Sequence, residues 1–143
     1  MTTYTETRVV KAARGKLFDL IADAESYPDF LPMWVDARID RRDEGVYHTE
    51  QEIGLGPIRE RFRTKTELSR PTRIEVTSTD GLFRDFGIMW DFGEAGGGCR
   101  VTISMTWQVH SPLLQKAIDM LLPGTARTMV TAFEERAREV ADQ

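Results

Sequence analysis

Two stretches decide the fold: GVYHTEQEIG at 45–54 and IRERFRTKTEL at 58–68. Both alternate in side-chain character, the period of a strand with one buried face. Between them Gly54-Leu55-Gly56-Pro57 carries turn chemistry. Opposing Ile53 to Ile58 sets Gln51 against Glu60, Thr49 against Phe62 and Tyr47 against Thr64. The other face then pairs Glu52 with Arg59 and Glu50 with Arg61, and brings His48 to Arg63. Opposite charges share one face and most apolar bulk shares the other, an arrangement that a one-residue slip would destroy.

Working outward, segments 34–43, 73–80, 84–93 and 99–110 have the same strand-like composition. Their separators, Glu44-Gly45, Arg70-Pro71-Thr72, Gly81 and Gly96-Gly97-Gly98, are short and turn-forming, which predicts sequential hairpins in an antiparallel meander. Parity places Phe86, Ile88, Trp90 and Phe92 inward, and Val101, Ile103, Met105, Trp107 and Val109 beside them. Ile74, Val76 and Ser78 complete that face. Upstream, residues 5–11 read as a strand, 16–22 as a helix and 26–31 as a short helical turn closed by Pro32.

After Pro112 the period changes to that of a helix. Leu114, Ile118, Leu121, Thr125, Met129, Phe133 and Val140 fall roughly on one face. Pro123-Gly124 predicts a kink or a break there, because proline lacks the N–H of the helical bond and clashes with the preceding turn. On this reading residues 111–122 form a movable flap, or the helix is merely bent. The fold class is therefore α+β: one domain over 1–143, a curved antiparallel sheet around a long C-terminal helix, in the order strand, two helices, six strands, helix.

Composition narrows the function. The chain has 143 residues, 41% hydrophobic and 29% charged, as ordinary globular proteins do. No apolar run reaches the roughly 20 residues of a membrane span, and Met1–Val10 is too polar for a signal peptide. The single Cys99 excludes an internal disulfide and a multi-cysteine zinc site. These features predict a cytoplasmic protein. A net charge of −4 gives no general attraction to DNA.

The inward face mixes large apolar side chains with Tyr47, Thr49, Gln51, Thr64, Thr66 and Ser78, and places Glu60 near the rim. That set fits a small-molecule pocket. It also fits a filled core in which threonines are simply good strand formers. His48 and His110 fall on the outward parity, and no catalytic or phosphate-binding motif is present. A pocket without histidine, cysteine or paired carboxylates is poorly equipped for acid–base or nucleophilic work, which argues against catalysis. The outward row Arg59, Arg61, Arg63 and Lys65 pairs with Glu50 and Glu52, or else contacts phosphate on RNA or lipid.

Six motifs run in order over nearly the whole chain: Phe18-Asp19-Leu20, Tyr27-Pro28-Asp29-Phe30-Leu31-Pro32, Arg59-Glu60-Arg61-Phe62, Gly81-Leu82-Phe83, Trp90-Asp91-Phe92 and Ala132-Phe133-Glu134-Glu135-Arg136-Ala137. Together they resemble the coenzyme-Q-binding START-like family, grouped with polyketide cyclase/dehydrase-like proteins. The chain departs from that pattern at Trp34, at Leu82 and at Pro123-Gly124. The resemblance implies a helix-grip (START/Bet v1-like) fold with a hydrophobic cavity, and a carrier of a prenylated quinone or similar isoprenoid lipid that supports respiratory quinone function. In such a carrier Tyr47, Gln51 and Thr64 would orient a headgroup. Phe62, Phe86, Trp90, Met105 and Trp107 would hold the ring or tail, under a lid at Leu121, Leu122 and Met129. The family also contains aromatase/cyclases and a ribosome-association toxin, so these remain alternatives. No cofactor is required, ubiquinone being cargo. Peripheral contact with the inner face of a membrane is a further expectation.

Overall fold

The computed structural model describes residues 1–141 except Gly56, Thr79 and Leu82, and all of their side chains except those of Leu55, Ile58, Val140 and Ala141. Position 82 of the family pattern, and Val140 on the helix face, therefore lie outside what is described. The elements are β1 (Thr2–Val10), α1 (Arg14–Ala22), a 3-10 helix (Ala24–Asp29), β2 (Trp34–Asp43), β3 (Val46–Leu55), β4 (Ile58–Ser69), β5 (Arg73–Ser78), β6 (Phe83–Ala95), β7 (Gly98–Val109) and α2 (Pro112–Ala141).

All strands are antiparallel in one sheet ordered β1-β7-β6-β5-β4-β3-β2. The meander from β2 to β7 follows from the short turns. β1 joins it at the far edge by pairing with β7, Tyr4 opposite Met105. The connection from β1 to β2, which includes α1 and the 3-10 helix, therefore runs between opposite edges of the sheet.

The hairpin of β3 and β4 keeps its faces but not its expected pairs. Leu55, rather than Ile53, stands opposite Ile58, so Gln51 opposes Phe62, Thr49 opposes Thr64 and Tyr47 opposes Thr66. Two residues separate the last pair, Leu55 and Ile58, instead of the four between Ile53 and Ile58. The slip is two residues, and side chains alternate with a period of two, so parity survives. The expected ion pairs survive as diagonals: Arg59 lies 3.6 Å from Glu52 and Arg61 lies 3.2 Å from Glu50.

Aromatic rings tie the layers together. Phe133 of α2 meets Tyr27, Phe30 and Trp90 edge-to-face, with ring centroids 5.4–5.7 Å apart. Such pairs add about 0.5–1.5 kcal/mol each beyond their area. Trp90 and Trp107 are both fully buried, as their parity requires.

The N-terminal half of α2 is fastened by polar contacts. The fully buried Trp107 donates its indole N–H to Asp119 at 2.8 Å. Gln115 donates to Asp119 at 3.0 Å and accepts the Val109 N–H at 2.7 Å. Hydrogen bonds from Thr2, Trp107 and Gln115 hold the Asp119 carboxyl below its ordinary range.

Of the kink or break expected at Pro123-Gly124, the break does not occur. α2 is one helix across both residues. Pro123 has no N–H to offer the Asp119 carbonyl, but packing on both sides of it carries the helix through. The hydroxyls of Thr125 and Thr128 donate to the carbonyls of Leu121 and Gly124. Segment 112–122 is thus the start of a continuous helix bound to β7, which does not favour the expected flap.

One interior carboxylate went unrecognised in the sequence. Glu6 shares the concave parity of β1. Its Oε1 lies 3.4 Å from Arg8, and its Oε2 is buried without a hydrogen-bond partner. Arg8 in turn donates to Thr131 of α2 at 2.7 Å.

Two glycines should respond in opposite directions to alanine. At Gly98 an added Cβ would come 2.1 Å from the Val10 carbonyl oxygen, so the backbones must separate. At Gly124 it would meet only an Arg127 nitrogen at 3.7 Å, an ordinary contact. In urea unfolding, Gly124→Ala should raise stability by about 1 kcal/mol, and Gly98→Ala should lower it by about 1–3 kcal/mol.

Candidate functional site

The site follows from which part of the concave face the helix leaves uncovered. α2 packs against β1, β7 and α1. A cavity opens beside it, over β3 to β6. Its floor is Tyr47 and Gln51 of β3, Phe62, Thr64 and Thr66 of β4, Ile74 and Val76 of β5, and Phe86, Ile88 and Trp90 of β6. Its cover is Ala24 and Tyr27 of the 3-10 helix, Trp34 at the start of β2, and Met129, the one contribution of α2 among the described residues.

Seven expected site residues line this cavity: Tyr47, Gln51, Phe62, Thr64, Phe86, Trp90 and Met129. Four do not. Met105 and Trp107 are buried on β7, Leu122 is buried in α2, and Leu121 packs against the core. They sit where the helix itself fills the face, so the lid expected at Leu121 and Leu122 is packed core. Of the residues that sequence reasoning left out, Thr66, Ile74, Val76 and Ile88 had the right parity. Ala24 and Tyr27 come from the connection between β1 and β2 and Trp34 opens β2, and the aromatic-rich run from Tyr27 to Trp34 was the available signal.

The polar wall is a chain of hydrogen bonds. Trp34 donates its indole N–H to the Gln51 carbonyl oxygen at 2.7 Å. The Gln51 amide donates to Thr49 at 2.9 Å and, at longer range, to Thr64 at 3.4 Å. The hydroxyls of Thr49 and Thr64 bond to each other. Tyr47 donates to the Ala22 carbonyl at 2.8 Å, and Tyr27 donates to the Ile21 carbonyl. These bonds offset the cost of burying so many polar groups.

Every lining side chain is neutral in its ordinary form. Burial pushes the Tyr47 phenol up to about 12, against the lowering effects of a Thr66 hydrogen bond and nearby Arg42. Burial also raises Tyr27. The lining holds no carboxylate, amine, guanidinium, imidazole or thiol among the described residues. Chemically, the wall can desolvate a neutral molecule and orient it by hydrogen bonds. The cavity is small, about 30 Å³ as a water-sized sphere measures it. Pockets for drug-sized ligands measure about 300–1,000 Å³, so a large guest must displace part of the lining.

Other candidates fare differently. Arg61 lies within 3.2–3.3 Å of Glu50, Glu52 and Asp36, Arg59 pairs with Glu52, and Lys65 pairs with Glu67. The basic row is therefore largely neutralised by its neighbours. Cys99 is buried and its thiol is pushed up by that burial. No cluster of His, Cys, Asp or Glu could hold a metal among the described residues. No described helix is long and apolar enough to cross a membrane.

A curved antiparallel sheet gripping a long C-terminal helix, with a neutral cavity between sheet and cover, defines the helix-grip class of START-like domains. Within that class the chain belongs to the family described as polyketide cyclase / dehydrase and lipid transport, which it matches over residues 10–134. It is 30% identical over 125 residues to the ribosome association toxin RatA of Pseudomonas aeruginosa, covering 87% of each chain. It is 23% identical to the mitochondrial coenzyme Q-binding protein COQ10 homolog B of Xenopus laevis, covering 96% of this chain and 58% of that protein. In structure it superposes on a Thermus thermophilus protein, TTHA0849, with a TM-score of 0.89 at 19% identity, covering 97% and 99% of the two chains.

The raised phenols give a test of the site in base. A tyrosine whose pKa is raised by folding contributes stability fully below its unfolded value near 10, and that contribution is lost as pH rises through its folded value. For Tyr47 that window runs from about 10 to about 12. Ultraviolet titration of tyrosinate should show Tyr47 and Tyr27 ionising late, together with loss of the near-ultraviolet circular dichroism. Ionisation of all three tyrosines near pH 10 with the fold intact would contradict the burial described.

Proposed function

We propose that this chain binds and carries a neutral hydrophobic ligand, with a prenylated quinone or similar isoprenoid lipid as the leading candidate, in support of respiratory quinone function. The observation that carries the reading is the cavity wall: aromatic and aliphatic side chains around one uncharged hydrogen-bond chain, Trp34–Gln51–Thr49/Thr64. Such a wall suits a molecule with an apolar body and a carbonyl or hydroxyl group. The lipid-transport family and the coenzyme Q-binding relative support the same assignment. Affinity would come mainly from apolar burial, at about 25 cal/mol per Å² before the costs of binding.

Entry involves Trp34. It is the half-buried member of the cover, held by one hydrogen bond to Gln51 and one edge contact to Tyr27 at 5.6 Å. Swinging it outward enlarges the cavity and frees the Gln51 carboxamide for the guest. In this role Tyr47, Phe62, Phe86, Trp90 and Met129 contact the ligand body. The protein would work in the cytoplasm, with access to membrane-dissolved ligand.

Ribosome association is the second reading, favoured by the Pseudomonas aeruginosa relative. In the outward row offered for RNA, Arg59, Arg61 and Lys65 each pair with a carboxylate, which ranks this reading second. The aromatase/cyclase reading would need an acid or base that works near neutral pH, and the lining offers only the phenols of Tyr47 and Tyr27, whose ionisation burial pushes up.

Mass spectrometry of an organic extract of the purified protein should find an isoprenoid lipid. A short-chain ubiquinone should quench tryptophan emission saturably. Gln51→Leu removes the central hydrogen-bonding group and should weaken that binding about 5- to 10-fold, the equivalent of roughly 1 kcal/mol. Arg61→Glu, on the convex face, should leave it unchanged. Absence of extractable lipid together with non-saturable quenching would overturn the proposal.

A further inference from the structure

Leu113 and Met120 of α2 are 80% and 84% exposed. They are seven residues apart, two helical turns, and so share one face, about 10 Å from each other along the axis. Lys116 lies between them and Arg127 one heptad beyond Met120, both exposed. The apolar residues of the opposite face, Ile118, Leu122 and Met129, are buried. The outer pair thus contributes nothing to the core.

From Leu113 to Arg127 the charges on this face have one sign, and Glu134, one heptad beyond Arg127, is mostly covered and pairs with Arg138 at 3.6 Å. Between Ser111 and Phe133 the only acid is Asp119, and its carboxylate is turned inward to Trp107 and Gln115. Arg127 makes one long hydrogen bond, 3.4 Å to the Tyr4 hydroxyl, and otherwise faces outward. A chain of net charge −4 therefore presents an apolar and cationic helix face.

We propose that this face docks on an anionic lipid bilayer, with Leu113 and Met120 entering the acyl boundary and Lys116 and Arg127 meeting headgroup phosphates. A helix lying in the membrane interface uses that combination, an apolar contact plus attraction to anionic lipid. A protein partner fits the face less well. A stable interface buries about 800 Å² on each side around a packed core, and two separated side chains supply no such core. Lipid needs no complementary shape. The inference does not depend on which guest the cavity takes.

Vesicle co-flotation tests it. The protein should float with vesicles of phosphatidylcholine mixed with phosphatidylglycerol, and much less with phosphatidylcholine alone. The double variant Leu113→Ser/Met120→Ser, and separately Lys116→Glu, should each reduce partitioning about tenfold. Thermal unfolding should be unaltered, because these side chains are exposed. Arg61→Glu should partition like the unaltered protein. Equal flotation of all variants, or no flotation with the mixed vesicles, would overturn the proposal. So would a concentration-dependent dimer in buffer that the double variant abolishes, since the face would then belong to a second copy. Quinone quenching in vesicle-free buffer is a separate readout, so failure here leaves the ligand assignment standing or falling on its own.

Discussion

One helix cannot cover seven strands. Adjacent strands lie about 4.8 Å apart, so this sheet is roughly 30 Å wide before it curves, whereas a helix with its side chains is about 10–12 Å across. Most other features follow from that mismatch. α2 takes the β1–β7 side, where Trp107 and Asp119 fasten it. The rest of the concave face is left to the connection between β1 and β2. That connection starts at one edge of the sheet and ends at the other, so its 3-10 helix and the first residue of β2 are carried over the strands that α2 leaves bare. The cavity lies under that second cover.

The two faces of the sheet treat polar groups in opposite ways. On the concave face each hydroxyl or amide must find a partner inside the protein, because an unpaired buried group costs about 1–3 kcal/mol. Gln51, Thr49 and Thr64 meet that requirement among themselves and with Trp34. On the convex face, ion pairs such as Arg61 with Glu50 are exposed and contribute about 0–1 kcal/mol each. Their effect is on register and surface charge: an arginine row that looks basic in sequence becomes a nearly neutral lattice once Asp36 and Glu52 fold in beside it.

Family membership and site chemistry support different conclusions. The fold is common to carriers, cyclases and toxin-named proteins, so it does not select among them. The cavity lining is more selective. Its tyrosines are held neutral by burial, and its polar groups are already partnered. An apolar guest with a hydrogen-bonding group can exploit that wall by exchanging one internal bond, such as Trp34 to Gln51, for one of its own.

Sequence alone determined which side chains face inward, because strand alternation has a period of two and tolerates the two-residue slip found between β3 and β4. It also determined the order of elements, the outward histidines and the existence of the last helix, all of which rest on local pattern. Tertiary structure decided the rest. Met105 and Trp107 have the same parity as Phe86 and Trp90, yet only the latter pair meets the cavity, because α2 lies mainly over β7 rather than β6. Pro123 reads locally as a break, yet the helix continues, because contacts distant in sequence, Gln115 to Thr2 before it and Arg8 to Thr131 after it, hold both halves. Trp34 is a departure from the family pattern in sequence and a cavity wall in the fold, because its position over Gln51 depends on strands paired at the far edge of the sheet. Periodicity is a property of neighbouring residues, whereas coverage of a face depends on where distant segments come to rest.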